Sequence, residues 1–166
     1  ALFHFPTGIK FDSNQNLLVV DSDNHCIRIV NRVGYVKTYA GNGKPGLVNG
    51  KFDQAQFNQP SDIAISPNGD VFVVDSYNHC IRKIESNGYV STVVGSDKKG
   101  YVDGSFEDAR FNRPQSAALN SKGDLFVTEN NNHCIRKIDF KNNMVTTLIG
   151  KKGNFKNSEE GSFKDK

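Results

Sequence analysis

The sequence predicts an all-β protein made of three copies of one unit, and three observations lead to this prediction. The pentapeptide Asn-His-Cys-Ile-Arg begins at Asn24, at Asn78 and at Asn132, so each copy follows the last after 54 residues. A fixed period of this length is typical of repeat architectures. Each copy holds four short apolar segments, and tight-turn sequences such as Pro67-Asn68-Gly69-Asp70 separate them. Four antiparallel strands per repeat indicate the blades of a β-propeller.

The predicted strands keep the same register in all three copies. Continuous apolar stretches such as Val71-Phe72-Val73-Val74 are typical of strands that are buried on both faces. The predicted strands cover residues 7–11, 17–21, 25–31 and 35–40 in the first copy, 61–66, 71–75, 79–85 and 89–94 in the second, and 115–119, 125–129, 133–139 and 144–149 in the third.

Long linkers, residues 41–59 and 95–113, join the copies and repeat their own pattern of glycines and phenylalanines. Because a loop of this length is usually functional or packed as a unit, we expect Phe57 and Phe111 to anchor the linkers against the sheets. Glu160-Gly161-Ser162-Phe163 begins the linker pattern a third time, and Ala1-Leu2-Phe3 matches its end. The sequence is therefore predicted to hold three whole units of one partial propeller domain, at residues 1–54, 55–108 and 109–166.

Three blades are too few to close a ring, since known propellers use about four to eight. Each blade buries its faces against its neighbours, so an isolated triplet would expose two apolar faces. We therefore expect half of a six-bladed ring, completed either by further blades in the same chain or by a second copy related by a two-fold axis.

Composition gives few further restrictions on function. The 166 residues carry a formal charge of +3, a weak bias that does not by itself indicate a nucleic-acid partner. No apolar stretch approaches the roughly 20 residues that span a bilayer, and no signal peptide is visible, so we expect no membrane partner. The sequence begins at Ala1 rather than Met, which leaves a preceding segment open.

All three cysteines lie in the repeated pentapeptide. An odd number cannot pair fully within the chain, and equivalent positions in successive blades are expected to lie too far apart for a disulfide. We interpret the cysteines as small buried apolar residues in a reducing compartment. Together with the lack of an Asn-X-Ser/Thr sequon, they predict an intracellular protein.

The turn between the second and third strands resembles the signature of the NHL-repeat propellers. The motif Asp-X-X-Asn-His occurs at residues 21–25 and 75–79, and residues 129–133 carry it with glutamate in first place. Pro-X-X-Ile-Ala-Ile at 60–65 and Asn-Gly-Asp-Val at 68–71 strengthen the resemblance, which extends to about Gly150. Cysteine replaces the leucine of the family motif. The resemblance implies six blades around a central channel. It does not imply one function, because relatives include protein-interaction domains, RNA-binding domains of translational repressors, extracellular sensors and the lyase that completes peptide amidation.

The repeated polar residues are predicted to be structural. Three histidines at equivalent positions of a ring lie too far from one another to share a zinc ion, so we expect no metal and no cofactor. Each histidine is instead expected to bond turn backbone or the preceding acid, while the Asp and Asn hold the turn. The structural set is Asp21, Asn24, His25, Asp75, Asn78, His79, Glu129, Asn132 and His133.

The repeated arginines Arg28, Arg82 and Arg136 lie at a strand position beside apolar neighbours. We expect each to pair with a carboxylate of an adjoining strand or blade and to pack its stem on apolar surface. An exposed arginine row that binds phosphate is the alternative.

Positions that differ between the copies are better candidates for specificity. Two such sets lie at the turn after the second strand and just before the first strand, and strand parity places both at the same end of the blades. Loops at one end of a propeller form a surface suited to binding. The candidates are His4, Phe5, Asp23, Asn58, Gln59, Tyr77, Asn112, Arg113 and Asn131.

The predicted function is a non-catalytic scaffold that presents this loop face to a protein or peptide partner. The sequence contains no Gly-X-Ser-X-Gly or His-Glu-X-X-His motif and no other catalytic constellation that we can assign. Two alternatives stay open. The first is RNA binding on a basic loop face that includes Arg113, Lys44 and Lys98. The second is a metal-dependent lyase or hydrolase, for which His4 would need ligands from blades outside this sequence.

Overall fold

The computed structural model describes residues 2–150, which form three antiparallel sheets arranged as propeller blades. Blade 1 contains β1 (Pro6–Phe11), β2 (Leu17–Asp21), β3 (Cys26–Val30) and β4 (Val36–Ala40). Blade 2 contains β5 (Gly50–Lys51), β6 (Asp62–Ile65), β7 (Val71–Asp75), β8 (Cys80–Ile84) and β9 (Tyr89–Gly95). Blade 3 contains β10 (Gly104–Ser105), β11 (Pro114–Leu119), β12 (Leu125–Glu129), β13 (Cys134–Asp139) and β14 (Met144–Ile149). Since the sheets do not close into a ring, the predicted partial propeller is confirmed.

Two of the strands were not predicted. Each linker contributes a two-residue strand to the blade that follows it: β5 pairs with the outer strand β9, and β10 pairs with the outer strand β14. Blades 2 and 3 therefore have five strands rather than four, whereas blade 1 has four among the described residues. Glycine and a polar residue make up each added strand, so no apolar pattern marks it.

The third strand of each blade begins one residue later than predicted. His25, His79 and His133 all have φ near +52° to +54°, which is left-handed and therefore not strand conformation. In blades 1 and 2 this histidine ends a short 3-10 turn, Ser22–Asn24 or Ser76–Asn78. This turn changes the direction of the chain, and the third long strand of the blade therefore begins only at the cysteine.

The core lies between the blades, and alternate residues of β7 face opposite sides. Val71 and Val73 pack with Leu18 and Val20 of blade 1. Phe72 and Val74 pack in a second cluster with residues of blade 3. This is the pattern expected of a strand buried on both faces. Within the described residues, no helix has the length and apolar composition to cross a membrane.

The linker phenylalanines fill the space between blades, as predicted. Phe57 lies in the cluster between blades 1 and 2, and Phe111 lies in the cluster between blades 2 and 3. Both side chains are fully buried. Each aromatic ring therefore connects a linker to two blades at once.

The cysteines Cys26, Cys80 and Cys134 are buried and free, which confirms the prediction made from their odd number. Burial raises the pKa of Cys80 well above its ordinary value. Burial, assisted by the nearby Glu129 carboxylate, raises the pKa of Cys134 to about 12. Neither thiol is therefore a ready nucleophile near neutral pH.

Candidate binding cleft on the loop face

The loops that precede β1, β6 and β11 meet the turns that follow β2, β7 and β12 at one end of the blades. The carboxylate of Asp75 accepts hydrogen bonds from the Asn58 amide N–H at 2.7 Å and from Asn78 Nδ2 at 2.8 Å. Tyr77 N–H donates to the Asn58 carbonyl in return. The repeated acid thus holds the turn, as predicted, and ties it to the segment before the inner strand.

The same arrangement recurs in the other two blades. Asp21 accepts from the His4 amide at 2.7 Å, and Glu129 accepts from the Asn112 amide at 2.5 Å. Glu129 therefore accepts the same type of backbone hydrogen bond as the repeated aspartate does in the other blades. Burial raises the pKa of Glu129 and raises that of Asp75 to about 6, although the hydrogen bonds that each accepts act in the opposite direction.

Two of the repeated histidines, His25 and His79, bond backbone of the following blade rather than of their own turn, which corrects the partner predicted for them. His25 Nδ1 accepts from the Gln59 amide at 3.1 Å, and His79 Nδ1 accepts from the Arg113 amide at the same distance. The left-handed conformation of the histidine aims its ring across the blade boundary, which a linear sequence does not show. Within residues 2–150 no three His, Cys, Asp or Glu side chains lie together as metal ligands.

Two of the three repeated arginines, Arg82 and Arg136, pair with carboxylates, as predicted. Arg82 Nη1 lies 3.0 Å from Asp75 Oδ2, and Arg136 Nη1 lies 2.7 Å from Glu129 Oε1. Both arginine side chains are fully buried. These two arginines are therefore not available as an exposed phosphate-binding row.

The variable residues surround a polar cleft of about 260 Å³ that crosses all three blades. Six of the nine predicted binding residues line it: Phe5, Asp23, Gln59, Tyr77, Arg113 and Asn131. The other three lie beside it. His4 Nε2 is 3.6 Å from Asp23 Oδ2, Asn112 Oδ1 accepts from Asn131 Nδ2 at 3.3 Å, and Asn58 contributes the backbone contacts described above.

Side chains of neighbouring blades meet in the cleft through different chemistry at equivalent positions. Between blades 1 and 2, Gln59 Nε2 donates to Asp23 Oδ1 at 3.1 Å. Between blades 2 and 3, the guanidinium of Arg113 lies 4.0 Å from the centre of the Tyr77 ring. The framework is thus repeated while its lining changes from blade to blade.

Sequence reasoning missed a second group of lining residues, which lie within two positions of the predicted ones. They are Thr7, Ser61 and Gln115, which each follow a proline at or near the start of the inner strand, and Ser22, Ser76 and Asn130, which follow the repeated acid. Residues 7, 61 and 115 also differ between the copies, so comparison of the copies could have found them.

The cleft has both charges and a mixed surface. Asp23 and Arg113 are the charged side chains among its lining residues, and Phe5 and Tyr77 supply exposed aromatic surface. Amides and hydroxyls make up most of the remainder. Such a surface can donate hydrogen bonds to, and accept them from, a peptide backbone and can stack on a side chain.

Comparison with known proteins agrees with the repeat. The NHL repeat family model matches residues 3–30, 57–84 and 111–138. Protein SUPPRESSOR OF QUENCHING 1, chloroplastic, from Arabidopsis thaliana is 40% identical over 94 residues, covering 55% of this chain and 9% of that protein. NHL repeat-containing protein 2 from Bos taurus is 37% identical over 107 residues, covering 60% of this chain and 15% of that protein.

An enzyme is also among the relatives. The probable peptidyl-alpha-hydroxyglycine alpha-amidating lyase pgal-1 from Caenorhabditis elegans is 34% identical over 97 residues, covering 58% of this chain and 27% of that protein. The chain thus spans only a small part of the length of these relatives.

A solved structure shows the same fold at larger size. The crystal structure of a structural genomics protein of unknown function from Bacteroides thetaiotaomicron superposes with a TM-score of 0.75 and 26% identity, covering 80% of this chain and 34% of that one. Each family match covers three strands of one blade, from the inner strand onward, together with the repeated turn. This chain belongs to the NHL-repeat family.

Proposed function

We propose that the protein is a non-catalytic binding scaffold whose loop-face cleft takes an extended segment of a protein or peptide partner. The observation that carries the proposal is that the residues that differ between blades line one cleft across all three. The repeated polar residues are engaged in holding turns and blades together. Variation is thus concentrated where a ligand could reach it, which favours recognition.

The chemistry of the cleft favours a peptide over an enclosed small molecule. A volume of about 260 Å³ lies below the 300–1,000 Å³ typical of small-molecule sites. Amide and hydroxyl side chains suit a peptide backbone, and the half-exposed Tyr77 ring under Arg113 offers a flat anchor beside a cation. A ligand carboxylate near Arg113 would complement that cation.

Selection from a random peptide library on the immobilised protein tests the proposal. Selected peptides should bind Arg113→Gly at least about tenfold more weakly than they bind wild type, since aromatic and arginine anchors carry much of the binding energy of an interface. Glycine suits the left-handed backbone at this position, where φ is +52°, so the variant should keep its fold. Arg32→Gly, outside the cleft, is the matched control and should bind normally. Equal affinities for all three proteins would contradict the proposal.

RNA binding is less well supported by the cleft than by the sequence. Of the three basic residues expected to bind RNA, Arg113 lines the cleft, whereas Lys44 and Lys98 are not among its lining residues. One cation stacked on a tyrosine and balanced by Asp23 is a weak attraction for a phosphate backbone. Binding of single-stranded RNA that falls steeply with salt and disappears in Arg113→Gly would make RNA the ligand instead.

The similarity to an amidating lyase is the reason to test for an enzyme of the metal-dependent class. The described residues do not fit such a site, because no group of three or more His, Cys, Asp or Glu side chains is placed to hold an ion. Elemental analysis of protein prepared in metal-free buffer checks this point. Stoichiometric zinc or calcium would overturn the assignment as a non-catalytic scaffold.

A further inference from the structure

The same four positions of each blade line the cleft on the loop face. Two of them flank the proline at the inner strand, and the other two are the first residues of the turn after the repeated acid. Each blade therefore contributes one unit of the same geometry, and the side chains alone distinguish the units. The chemistry that a ligand meets changes step by step across the blades.

The residue before the proline has a left-handed backbone in every blade. Phe5, Gln59 and Arg113 have φ of +54°, +42° and +52°. Glycine adopts this conformation with the least strain, yet the chain carries a large side chain at all three positions. At Gln59 and Arg113 the backbone is fixed, because the amide donates to a histidine of the preceding blade. Residues held in this way are typical of ligand-binding sites, which makes their side chains candidates for ligand contact.

At the boundary between blades 1 and 2 the cleft carries a negative charge. Asp23 Oδ1 accepts from Gln59 Nε2 at 3.1 Å, which fixes the carboxylate. Asp23 Oδ2 lies 3.6 Å from His4 Nε2, beyond the length of a normal hydrogen bond, and 31% of the Asp23 side chain is exposed. The second carboxylate oxygen is therefore accessible to a cationic group of a ligand.

At the boundary between blades 2 and 3 the cleft carries a positive charge. The cation–π contact with the Tyr77 ring fixes the Arg113 guanidinium. Among residues 2–150, no oxygen or nitrogen accepts a hydrogen bond from this guanidinium, in contrast to that of Arg82, which pairs with Asp75. Its N–H donors are therefore available to a ligand carboxylate, which an arginine binds through two parallel hydrogen bonds.

Nearby acidic side chains already have partners. The three repeated acids are buried and hold the turns. Asp62, which follows a lining residue of β6, accepts from a hydroxyl and from an amide of β11. Asp23 and Arg113 are therefore the charges that a ligand in the cleft meets. Both boundaries lie wholly within residues 2–150, and one blade separates them.

We propose that the cleft selects an extended peptide segment that carries two opposite charges, with a basic side chain at Asp23 and an acidic side chain at Arg113. This inference rests on the proposed function, since it names the class of peptide that the cleft takes. Packed sheets lie about 10 Å apart and an extended chain rises about 3.3 Å per residue, so the two charges belong about three residues apart. The charges also fix the direction of the peptide, because its acidic side lies toward blade 3.

The chain itself supplies matched variants. Asn131 has in blade 3 the position that Asp23 has in blade 1, and Gln59 has in blade 2 the position of Arg113. Asp23→Asn and Arg113→Gln therefore remove each charge with a residue that the fold already carries at an equivalent position. An asparagine in place of Asp23 can still accept from Gln59 Nε2, so this contact between blades is kept.

Sequences of peptides selected from a random library give the first test. Wild type should select peptides with Lys or Arg about three positions from Asp or Glu. Asp23→Asn should lose the preference for the basic residue, and Arg113→Gln should lose the preference for the acidic one. A library that yields no binding peptide would contradict the proposed function and this inference with it. Binding peptides without the paired charges would overturn this inference alone.

Affinities of one selected peptide and its neutral analogues assign each charge to its site. By fluorescence anisotropy, replacing the basic residue of the peptide with Gln should weaken binding to wild type about tenfold and binding to Asp23→Asn less than about twofold. Replacing the acidic residue should show the same relation to Arg113→Gln. Arg32→Gln, outside the cleft, should behave like wild type. Equal losses for wild type and both variants would overturn the assignment.

A nitroxide label tests the direction in which the peptide lies. With the label beyond the acidic residue of a selected peptide, the amide resonance of Asn131 in blade 3 should broaden more than that of Phe5 in blade 1. With the label beyond the basic residue, the order should reverse. Equal broadening in both cases, or the opposite order, would contradict a direction set by Asp23 and Arg113.

Discussion

The guanidinium of Arg113 lies 4.0 Å from the centre of the Tyr77 ring, so a side chain of blade 3 covers a side chain of blade 2. The backbone beside this pair is held as well, because the Arg113 amide donates to His79 Nδ1 at 3.1 Å. The same pair of positions joins blades 1 and 2 through Asp23 and Gln59. One geometry therefore carries a cation–π contact at one boundary and a hydrogen bond at the other.

A double-mutant cycle measures the contact between Tyr77 and Arg113. Tyr77→Ala, Arg113→Gly and the double variant should give a coupling of about 0.5–1 kcal/mol in urea unfolding, the range for partly exposed cation–π pairs. The pair formed by Tyr77 with Arg32, which are not in contact, serves as the control. Additive free energies for Tyr77 and Arg113 would contradict the contact.

Replacement of His79 by alanine should weaken the boundary between blades 2 and 3. The change removes the acceptor for the Arg113 amide and should lower the free energy of unfolding by about 1–3 kcal/mol at pH 8. His4→Ala should cost less than about 0.5 kcal/mol, since the His4 side chain is 70% exposed. A loss as small for His79 as for His4 would contradict the role of the ring nitrogen.

The effect of His79 should also depend on pH. Burial lowers its pKa, so the folded state resists protonation more than the unfolded chain does. Its contribution to stability is therefore present above the unfolded pKa of about 6.5 and is lost as pH falls through the lower folded value. The difference in free energy of unfolding between wild type and His79→Ala, measured by urea unfolding at several pH values, should therefore shrink below pH 6.

Asp75 should show the opposite trend. Burial raises its pKa from 3.8 to about 6, so the folded state takes up a proton before the unfolded chain does. The resulting stability is fully present below the unfolded pKa and is lost as pH rises through about 6. Between pH 7 and pH 5, wild type should gain about 1 kcal/mol relative to Asp75→Asn. If wild type gains no stability relative to Asp75→Asn between pH 7 and pH 5, the raised pKa of Asp75 is contradicted. The hydrogen bonds from Asn58, Asn78 and Arg82 would then outweigh the effect of burial on that pKa.

Two cysteine variants form a matched pair. Cys80 is fully buried, and Cys80→Ser should lower the free energy of unfolding by about 1–3 kcal/mol, because a hydroxyl is then buried in place of the thiol. Cys134→Ser should cost less, since Cys134 Sγ lies 3.6 Å from Glu129 Oε1, which can accept from the hydroxyl. Equal losses would contradict this difference. Native thiol labelling should be slow at Cys26, Cys80 and Cys134, and rapid labelling would contradict their burial.

Much of the architecture could be predicted because it depends on short stretches of sequence, such as apolar runs and turn motifs. The apolar run at β7 and the turn at Pro67 to Asp70 locate strands to within a residue or two. The recurring phenylalanines predict linker anchors, and Phe57 and Phe111 are fully buried. A turn or strand pattern that is weak in one copy becomes a strong prediction when it recurs at the same position in all three copies.

The contacts between blades could not be predicted, because they depend on backbone geometry at long range. The left-handed conformation of His79 directs its ring to the next blade, and histidine gives no sequence signal for it. Arg82 and Asn78 bind backbone carbonyls of the linker, and a carbonyl has no side-chain identity to recognise. Variation between the copies identified Tyr77 and Arg113 but missed Gln115, because only three positions in each copy were considered.

Chemical-shift mapping is the most direct test of whether the loop-face cleft binds the partner. A peptide selected by the protein would be titrated into isotope-labelled chain, and the amide resonances would be followed. We expect the largest shifts on Tyr77, Arg113, Asn131 and their neighbours along the cleft. Shifts confined to other surfaces, such as the cavity of blade 1 that Asn24, Arg28 and Thr38 line, would contradict binding in the cleft.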